Sequence, residues 1–457
     1  MEPQRAGQPA PADPFLNRAP PHSASGSHLI RHCIGIDLGT SGVRVEILDA
    51  AGASLGGLRQ PWPAGSRNEE PGGPDDPQVW WAAVANLLRQ AARRLPNVPV
   101  AIAVDGTSAT LLAVDGAGDP LGPTLLYNDA RAVDEGEYLR GIAPPSSAAH
   151  GASSSAAKLL WLRRQGRLKS AVRVLHQAEW ISGRLQGRHH HGDENNALKL
   201  GYDPMQGRWP DWWLRELGPV ADLLPEIVPA GTPLGRITAA VARETGLRRD
   251  SRVVAGTTDG IAGFLATGVD QPGTGVTSLG STLVLKQLSE QPLFDPAAGV
   301  YSHRVLGRWL AGGASNSGGA VLAAHFTPAE IEALARDIDP AWDTGLDFYP
   351  LLQPGERFPV SDPGLQPRLR PRPSSDARFL QGLLEGIAGI EAAGYRRLQE
   401  LGAPGVTEVV TVGGGAANPQ WTALRARIIG VPVRPAEHEQ PARGAALLAQ
   451  IGARAAG

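Results

Sequence analysis

A single cysteine, Cys33, occurs in the 457 residues, which excludes an intramolecular disulfide and any cysteine-built zinc cluster and suits a reducing, cytoplasmic compartment. It lies in an apolar stretch and reads as core. No run of about 18 or more apolar residues is present, so no membrane-spanning helix is expected. Neither sign of charge dominates: 43 Lys plus Arg stand against 45 Asp plus Glu, a formal net charge of -2. That balance lacks the basic footprint of a nucleic-acid binder and leaves small neutral or anionic metabolites as ligands. The Walker A pattern is missing, as is GxGxxG after a strand, so P-loop and dinucleotide-binding readings lose support.

From Met1 to about His28 the chain is rich in Pro, Ala and Ser and has no apolar signal core. It reads as a disordered extension (residues 1–28) or an upstream start, with a transit peptide as the other option. The remaining length is too great for one comfortable core and predicts two domains of roughly 200–250 residues with a cleft between them. The 57 Gly and 40 Pro are spread without a period, which points to many ordered turns rather than low complexity.

Two segments stand out. CIGIDLGTSGVRVEILD, Cys33 to Asp49, sets a turn rich in Gly and hydroxyls between two apolar strands, and VTSLGSTLVL, Val276 to Leu285, repeats the arrangement half a chain later. Without Cβ atoms at Gly39, Gly42 and Gly280 the backbone can approach an anion closely. Its N–H groups and the hydroxyls of Thr40, Ser41, Thr277, Ser278 and Ser281 supply donors, the surface that a polyphosphate wants. A third Gly-rich turn, Gly413 to Asn418, follows the predicted strand Glu408 to Val412. Between them, the apolar strand Val98 to Val104 delivers Asp105, Thr107 and Ser108 at its carboxyl end, where α/β proteins place ligands. Short strands are also expected at Leu111 to Val114 and Thr124 to Tyr127, the latter followed by Asn128 and Asp129 in a polar loop, and Arg252 to Ala255 feeds GTTDG and a helix that begins near Asp259.

Three such turns and two isolated aspartates fit a site for a nucleoside triphosphate, its metal and an alcohol acceptor, since phosphoryl transfer needs positioning and charge neutralisation above all. Asp37 beside a phosphate turn suits Mg²⁺. Asp259 suits a general base for the attacking hydroxyl. A helix N-terminus there lowers the pKa of Asp259 and burial raises it, and the sequence leaves the winner open. The run His189-His190-His191 reads as an exposed loop, because adjacent histidines do not share one face. Trp80-Trp81 and Trp212-Trp213 read as core or interface.

These residues give the chain, from Ile30 to Gly457, a close likeness to the FGGY carbohydrate kinases of the actin and Hsp70-like ATPase superfamily. Asp37 to Gly42, Gly256 to Gly260, Thr277 to Ser281 and Gly413 to Asn418 carry it. The resemblance implies two ribonuclease-H-like α/β domains of the actin/hexokinase/Hsp70 type around a cleft: an N-terminal domain over 29–270 for sugar and phosphate, and a C-terminal domain over 271–457 for nucleotide. It also implies ATP and Mg²⁺ and transfer of the γ-phosphoryl group to a terminal sugar hydroxyl, by a monomer or homodimer with no nucleic-acid or membrane partner. AVDGTSATLLAVD, LLYNDARA, NALKLGYDP, GTTDGIAGFLATG, GVYSHRV, GGASNSGGA and FYPLLQPGERFP look most like the D-ribulose kinase group of cyanobacteria and plants, often labelled xylulokinase-like.

By that similarity Ser108 and Asp259, with Asp105 and Asn128 at the same strand ends, bind a ketopentose, while Asp37, Thr40 and Asp259 serve the transfer itself. Gly39, Thr40, Ser41, Gly280 and Ser281 hold phosphates, Gly414 and Gly415 approach the nucleotide, and Asn418 with Trp421 holds adenine. Glu179-Trp180 is a further sugar contact or a capped helix with a core Trp. Gly260 departs from the family, standing where many relatives carry a polar side chain. D-Ribulose is the expected acceptor and D-xylulose the alternative. An actin-like or chaperone-like ATP-driven switch is the rival from another class, but it has no need of the polar set Asp105, Thr107, Ser108, Asn128 and Asp129.

Overall fold

A computed structural model describes residues 30–63 and 73–455; the expected extension to residue 28 lies outside them. Two mixed six-stranded sheets form the framework. The first contains β1 (His32–Gly39), β2 (Gly42–Asp49), β3 (Ser54–Pro61), β4 (Val100–Gly106), β5 (Pro233–Arg236) and β6 (Arg252–Thr258), in the order β3-β2-β1-β4-β6-β5. The second contains β7 (Thr274–Leu279), β8 (Leu283–Ser289), β9 (Tyr301–Val305), β10 (Arg308–Ala314), β11 (Glu408–Val412) and β12 (Val433–Pro435), in the order β9-β10-β8-β7-β11-β12. Each therefore pairs an antiparallel hairpin with parallel strands on its far side, β1 with β4 and β7 with β11. The duplicated architecture is the one expected. Val98 to Val104 is shifted to β4, and Thr124 to Tyr127 makes only an isolated bridge, Leu111 with Leu125.

Helix α1 (Pro77–Arg94) starts as its sequence predicts. Asp76 Oδ1 accepts from Gln78 N at 2.8 Å, Pro77 takes the first position, and Arg93 and Arg94 close the last turn. Its buried face, Trp80, Trp81, Val84, Leu87 and Leu88, joins the core of the first sheet. Of two shorter helices, α2 (Ser155–Arg164) packs Leu159 and Leu160 in a separate cluster with Leu111 and Leu125, and α3 (Gln177–Gln186) sets Trp180 and Ile181 into the core of that sheet. Later come α4 (Asp259–Ala266), α5 (Asp376–Glu400), α6 (Pro419–Ile429) and α7 (Pro441–Ala455). On α5, Gly382 and Gly386 admit Phe348 and Pro350, the close packing anticipated from the sequence. Cys33 is core, as expected: its thiol is 2% exposed, and burial pushes its pKa up to about 12. Among the described residues no helix is long and apolar enough to cross a membrane.

Packing runs across the expected division at 270/271 in two places. Helix α4, which follows the first sheet in sequence, sets Ile261 and Phe264 among Val276, Leu288, Leu310 and Val410 of the second. Helix α7, which follows the second sheet, sets Leu448 and Ala449 among Cys33, Ala101, Ala103 and Val254 of the first. Each sheet thus receives the terminal helix of the other. The crossing is tight. A Cβ on Gly35 would lie 1.9 Å from Ala442 O and 2.2 Å from Ala446 N, and one on Gly444 would lie 1.8 Å from Ala262 O. Gln450 Nε2 donates to Asp49 O and Ala50 O at 3.2 and 2.9 Å, fixing α7 to the turn after β2.

Gly35→Ala forces backbone apart at this crossing and is expected to lower stability by about 2 to 3 kcal/mol in urea unfolding. Gly389→Ala, where a Cβ meets nothing within 4 Å, serves as control and is expected to gain up to about 1 kcal/mol.

Candidate active site

Parallel pairing brings the acidic residues together. In the ladder of β1, β4 and β6, Asp37 pairs with Asp105 and Asp105 with Thr257, so three strand ends present Asp37, Asp105 and Asp259 on one rim. A bulge in β6 between Val254 and Thr257 adjusts this register. Gly256 permits it, because a Cβ there would lie 1.7 Å from Val104 O.

Burial and mutual repulsion shape the charges. Asp37 is 1% exposed, and burial raises its pKa to about 6 against the opposing pull of Arg44, whose Nη1 lies 3.2 Å from Asp37 Oδ2; the Asp259 charge pushes it further up. Asp105 is fully buried, and burial with the charges of Asp37 and Asp259 holds it well above the usual carboxylate range. Both oxygens of Asp105 and Oδ1 of Asp37 are buried without a protein hydrogen-bond partner. Unpaired carboxylate oxygens on neighbouring strands are the donor set a hard divalent cation takes.

Asp259 occupies the first position of α4, where its Oδ1 accepts from Gly260 N at 2.6 Å. Burial raises its pKa, opposed by that N–H and by the ammonium groups of Lys286 and Lys199. The contest left open by the sequence goes to burial. Lys286 of β8 donates from Nζ to Gly260 O, joining the second sheet to the start of α4. Lys199 and Lys286 also face the ring of His303, whose pKa falls to about 3 chiefly through burial.

Beyond the carboxylates, Ser108 is half-buried in the turn after β4, next to Ala109 with φ 68°. A non-glycine residue in the left-handed region is strained and must be held by its surroundings. The holder is Lys158 on α2, fully buried, which donates to Ala109 O at 2.8 Å and Leu126 O at 2.7 Å. Burial lowers its pKa to about 7. One ammonium thereby ties the Ser108 turn to the loop carrying exposed Asn128. Thr107 is engaged with Gln177 Oε1 and Thr110 Oγ1, at 3.0 and 2.6 Å, and supports the same turn. Asn195 Nδ2 bridges Thr257 Oγ1 and Arg304 O at 3.0 and 2.9 Å, a second link between the sheets.

The two turns rich in Gly and hydroxyls are open. Thr40 and Ser41 form the exposed tip between Gly39 and Gly42, and Gly280 and Ser281 form its exposed counterpart. Gly280 O and Ser281 O accept from Gly319 N and Ala320 N, which fixes the second tip from behind. Gly413, with φ 89°, rests against Leu279 O where a Cβ would come within 2.7 Å, and Gly414 has no atom within 4 Å of its Cβ position. Gly415 lies directly over the Trp421 ring.

Several expected contacts turn inward instead. Thr277 is fully buried, donating to Glu391 Oε1 at 2.5 Å, and Glu391 pairs with Arg425 through two contacts of 2.6 Å, so this hydroxyl braces β7 rather than a phosphate. Asn418 Oδ1 caps α6 by accepting from Trp421 N at 3.0 Å, and the Trp421 ring is 3% exposed within the second core. Glu179 accepts from His176 N at 2.6 Å, and Trp180 is fully buried with Nε1 donating to Gly118 O at 2.9 Å, which is the capped-helix alternative. His190 and His191, read as an exposed loop, approach Glu226 so that one ligand atom from each lies within 4.8 Å of the others. Arg173 donates to His190 Nδ1 at 3.3 Å and His190 Nε2 meets Glu226 at 3.0 Å, which already satisfies that ring.

Lys158, Lys199, Lys286 and Arg44 were not singled out from the sequence. Lys158 left a trace, as the lone charge in the otherwise apolar run AAKLLWL. Lys199 and Lys286 have no local signal, because the group they face, Asp259, is distant in sequence, whereas Arg44 is the cross-strand partner of Asp37 in the same hairpin.

Residues 32–266 match the N-terminal domain, and residues 275–453 the C-terminal domain, of the FGGY family of carbohydrate kinases. The xylulose kinase of Escherichia coli strain K12 is 29% identical over 450 residues, covering 92% of this chain and 90% of that protein. The xylulose kinase of Bacillus subtilis strain 168 is 27% identical, covering 93% and 88%. Among solved structures, a xyloylose kinase from Brucella ovis superposes with a TM-score of 0.81 at 25% identity, over 93% of this chain and 91% of that one. Ligand-bound xylulose kinase from Lactobacillus acidophilus shares the fold, with a TM-score of 0.81 at 19% identity, over 94% and 90%. Paired Gly-rich turns, a carboxylate rim and a match along both halves lead to one assignment: this chain belongs to the FGGY family of carbohydrate kinases and is a two-domain sugar kinase, a phosphotransferase with an alcohol group as acceptor.

Proposed function

We propose that this protein transfers the γ-phosphoryl group of ATP to the terminal primary hydroxyl of a 2-ketopentose, with D-ribulose as the first acceptor and D-xylulose as the second. The observation that carries the reading is the meeting of Asp37, Asp105 and Asp259 at the ends of parallel strands. Asp259 takes the proton from the acceptor hydroxyl, the freed oxygen bonds to the γ-phosphorus, and the bond to the β-phosphate oxygen breaks, releasing ADP. The N–H-rich tips at Thr40-Ser41 and Gly280-Ser281 hold the polyphosphate, and Gly413 to Gly415 let the nucleotide approach the backbone. Asp37 would hold Mg²⁺, as expected, and Asp105, expected at the sugar, would share that role because its unpaired oxygens lie on the neighbouring strand; the ion when bound neutralises phosphate charge. Ser108 and Asn128 flank the acceptor, held by Lys158. Domain closure excludes water, so ATP is spent on the sugar.

D-Ribulose rests on the likeness of AVDGTSATLLAVD and GVYSHRV to that kinase group. D-Xylulose is favoured by relatives named xylulose kinases. The two differ at one stereocentre, so one or two hydrogen bonds of about 1 kcal/mol each decide between them.

An ADP-release assay over D-ribulose, D-xylulose, other pentuloses, polyols and glycerol is expected to give the highest kcat/KM with D-ribulose. A preference for D-xylulose selects the second acceptor, and ATP hydrolysis indifferent to every sugar removes the proposal. Asp259→Asn is expected to reduce kcat by about 10³-fold or more with ATP affinity changed less than about threefold; undiminished turnover removes the base assignment. Because the base must be charged and burial raises its pKa, kcat/KM should fall as pH drops through a value above the ordinary carboxylate range of about 4. A flat profile down to pH 4 contradicts this.

A further inference from the structure

Gly260 stands beside Asp259 in the first turn of α4, and its backbone gives no reason for a glycine. Its φ is outside the left-handed region, and it is exposed. A Cβ placed on it meets a single atom within 4 Å, Lys286 Nζ at 3.1 Å. Lys286 reaches this point from β8, the strand that leaves the Gly280-Ser281 tip, and its Nζ donates to Gly260 O. The space that a side chain at 260 would fill is thus taken by an ammonium supplied from the opposite sheet.

An ammonium carries three N–H donors and no acceptor. One is committed to Gly260 O, which fixes its place next to the Asp259 carboxyl. Two donors remain, on an ammonium whose charge acts on the Asp259 carboxyl. His303, buried and facing Lys286 and Lys199, is kept neutral, so it adds no further positive charge beside the ammonium. Lys199 also lies close enough to Asp259 to act on its charge and has Arg357 near it.

We propose that Lys286 is a specificity residue of the acceptor site: its ammonium replaces the missing side chain at 260, is anchored by the Gly260 carbonyl, and donates to a lone-pair oxygen of the bound sugar. The ligand class is an acceptor-rich carbohydrate whose carbonyl or hydroxyl oxygen lies beside the hydroxyl that Asp259 deprotonates. The inference rests on the proposed role of Asp259. It further requires Gly260 and Lys286 to act as one unit.

The test compares the full-length protein with Lys286→Met, Lys286→Arg, Gly260→Gln and the Gly260→Gln/Lys286→Met double variant. Steady-state kinetics use whichever acceptor the unmodified protein phosphorylates fastest, and calorimetry measures binding of the same sugar. Lys286→Met should raise the sugar KM and Kd about tenfold or more, as expected for a lost charge-assisted hydrogen bond, and leave the ATP KM within twofold. Lys286→Arg, which keeps charge and donors, should lie closer to the unmodified protein. Gly260→Gln should impair sugar binding when Lys286 is present and restore part of it when Met stands there, a non-additive pair. The inference is overturned if sugar KM and Kd stay within twofold in Lys286→Met, if ATP and sugar KM rise together, if kcat alone falls, or if the two substitutions combine additively. If the unmodified protein neither binds nor phosphorylates any sugar, the kinase reading fails and this inference with it. Activity in that protein with an indifferent Lys286→Met variant defeats this inference alone.

Discussion

Holding three carboxylates on one rim is the constraint around which the molecule is organised. Burial makes ionisation costly, and the charge of Asp259 adds to it at Asp37 while those of Asp37 and Asp259 add to it at Asp105, which is why Asp105 sits far above its ordinary range and Asp37 near 6. Nothing local would keep such groups together. What does so is the parallel ladder of β1, β4 and β6, whose hydrogen bonds fix Asp37 opposite Asp105 and Asp105 opposite Thr257 whatever the side chains prefer. A loop could not do this, since repulsion would simply open it. The cations around the rim, Arg44, Lys199 and Lys286, come from three separate elements and offset part of the charge.

The framework was legible because its signals are local. A Gly-Thr-Ser turn between β-branched runs specifies a hairpin by itself, and Asp76-Pro77 specifies a helix start, so β1, β2, α1, β7 and β8 appear close to where the sequence put them. The destination of individual side chains was less legible. Thr277 and Ser281 both belong to a hydroxyl-rich turn segment, yet Thr277 lies on the strand proper, where alternation turns it into the core and onto Glu391. Trp421 reads as a flat surface for a purine, but as a residue of the first turn of α6 it packs under Gly415. One-dimensional pattern gives the residue type a site needs; the face it occupies depends on register and on helix phase.

The exchange of α4 and α7 had no signature at all. Both are ordinary apolar helices, and each would be assigned to the sheet that precedes it. Their exchange means that the helix bearing Asp259 is seated on the second core while the strand feeding it belongs to the first. A rotation of one sheet relative to the other is therefore felt at Asp259, through a backbone segment only a few residues long. The links Lys286 to Gly260 and Asn195 to Arg304 lie on the same seam, so the chemistry and the mechanical coupling share one place.

That arrangement also bears on how the chain is made. During synthesis the last strand of the first sheet leaves the ribosome roughly 180 residues before the Pro441–Ala455 helix that must cover Cys33, Ala101, Ala103 and Val254. At about 5–20 residues per second the nascent chain carries that bare apolar face for on the order of ten seconds or longer. The amino-terminal half can collapse early, but its burial is completed only when the carboxyl-terminal half has been made, which ties the yield of the finished molecule to whatever shields the uncovered face in the interval.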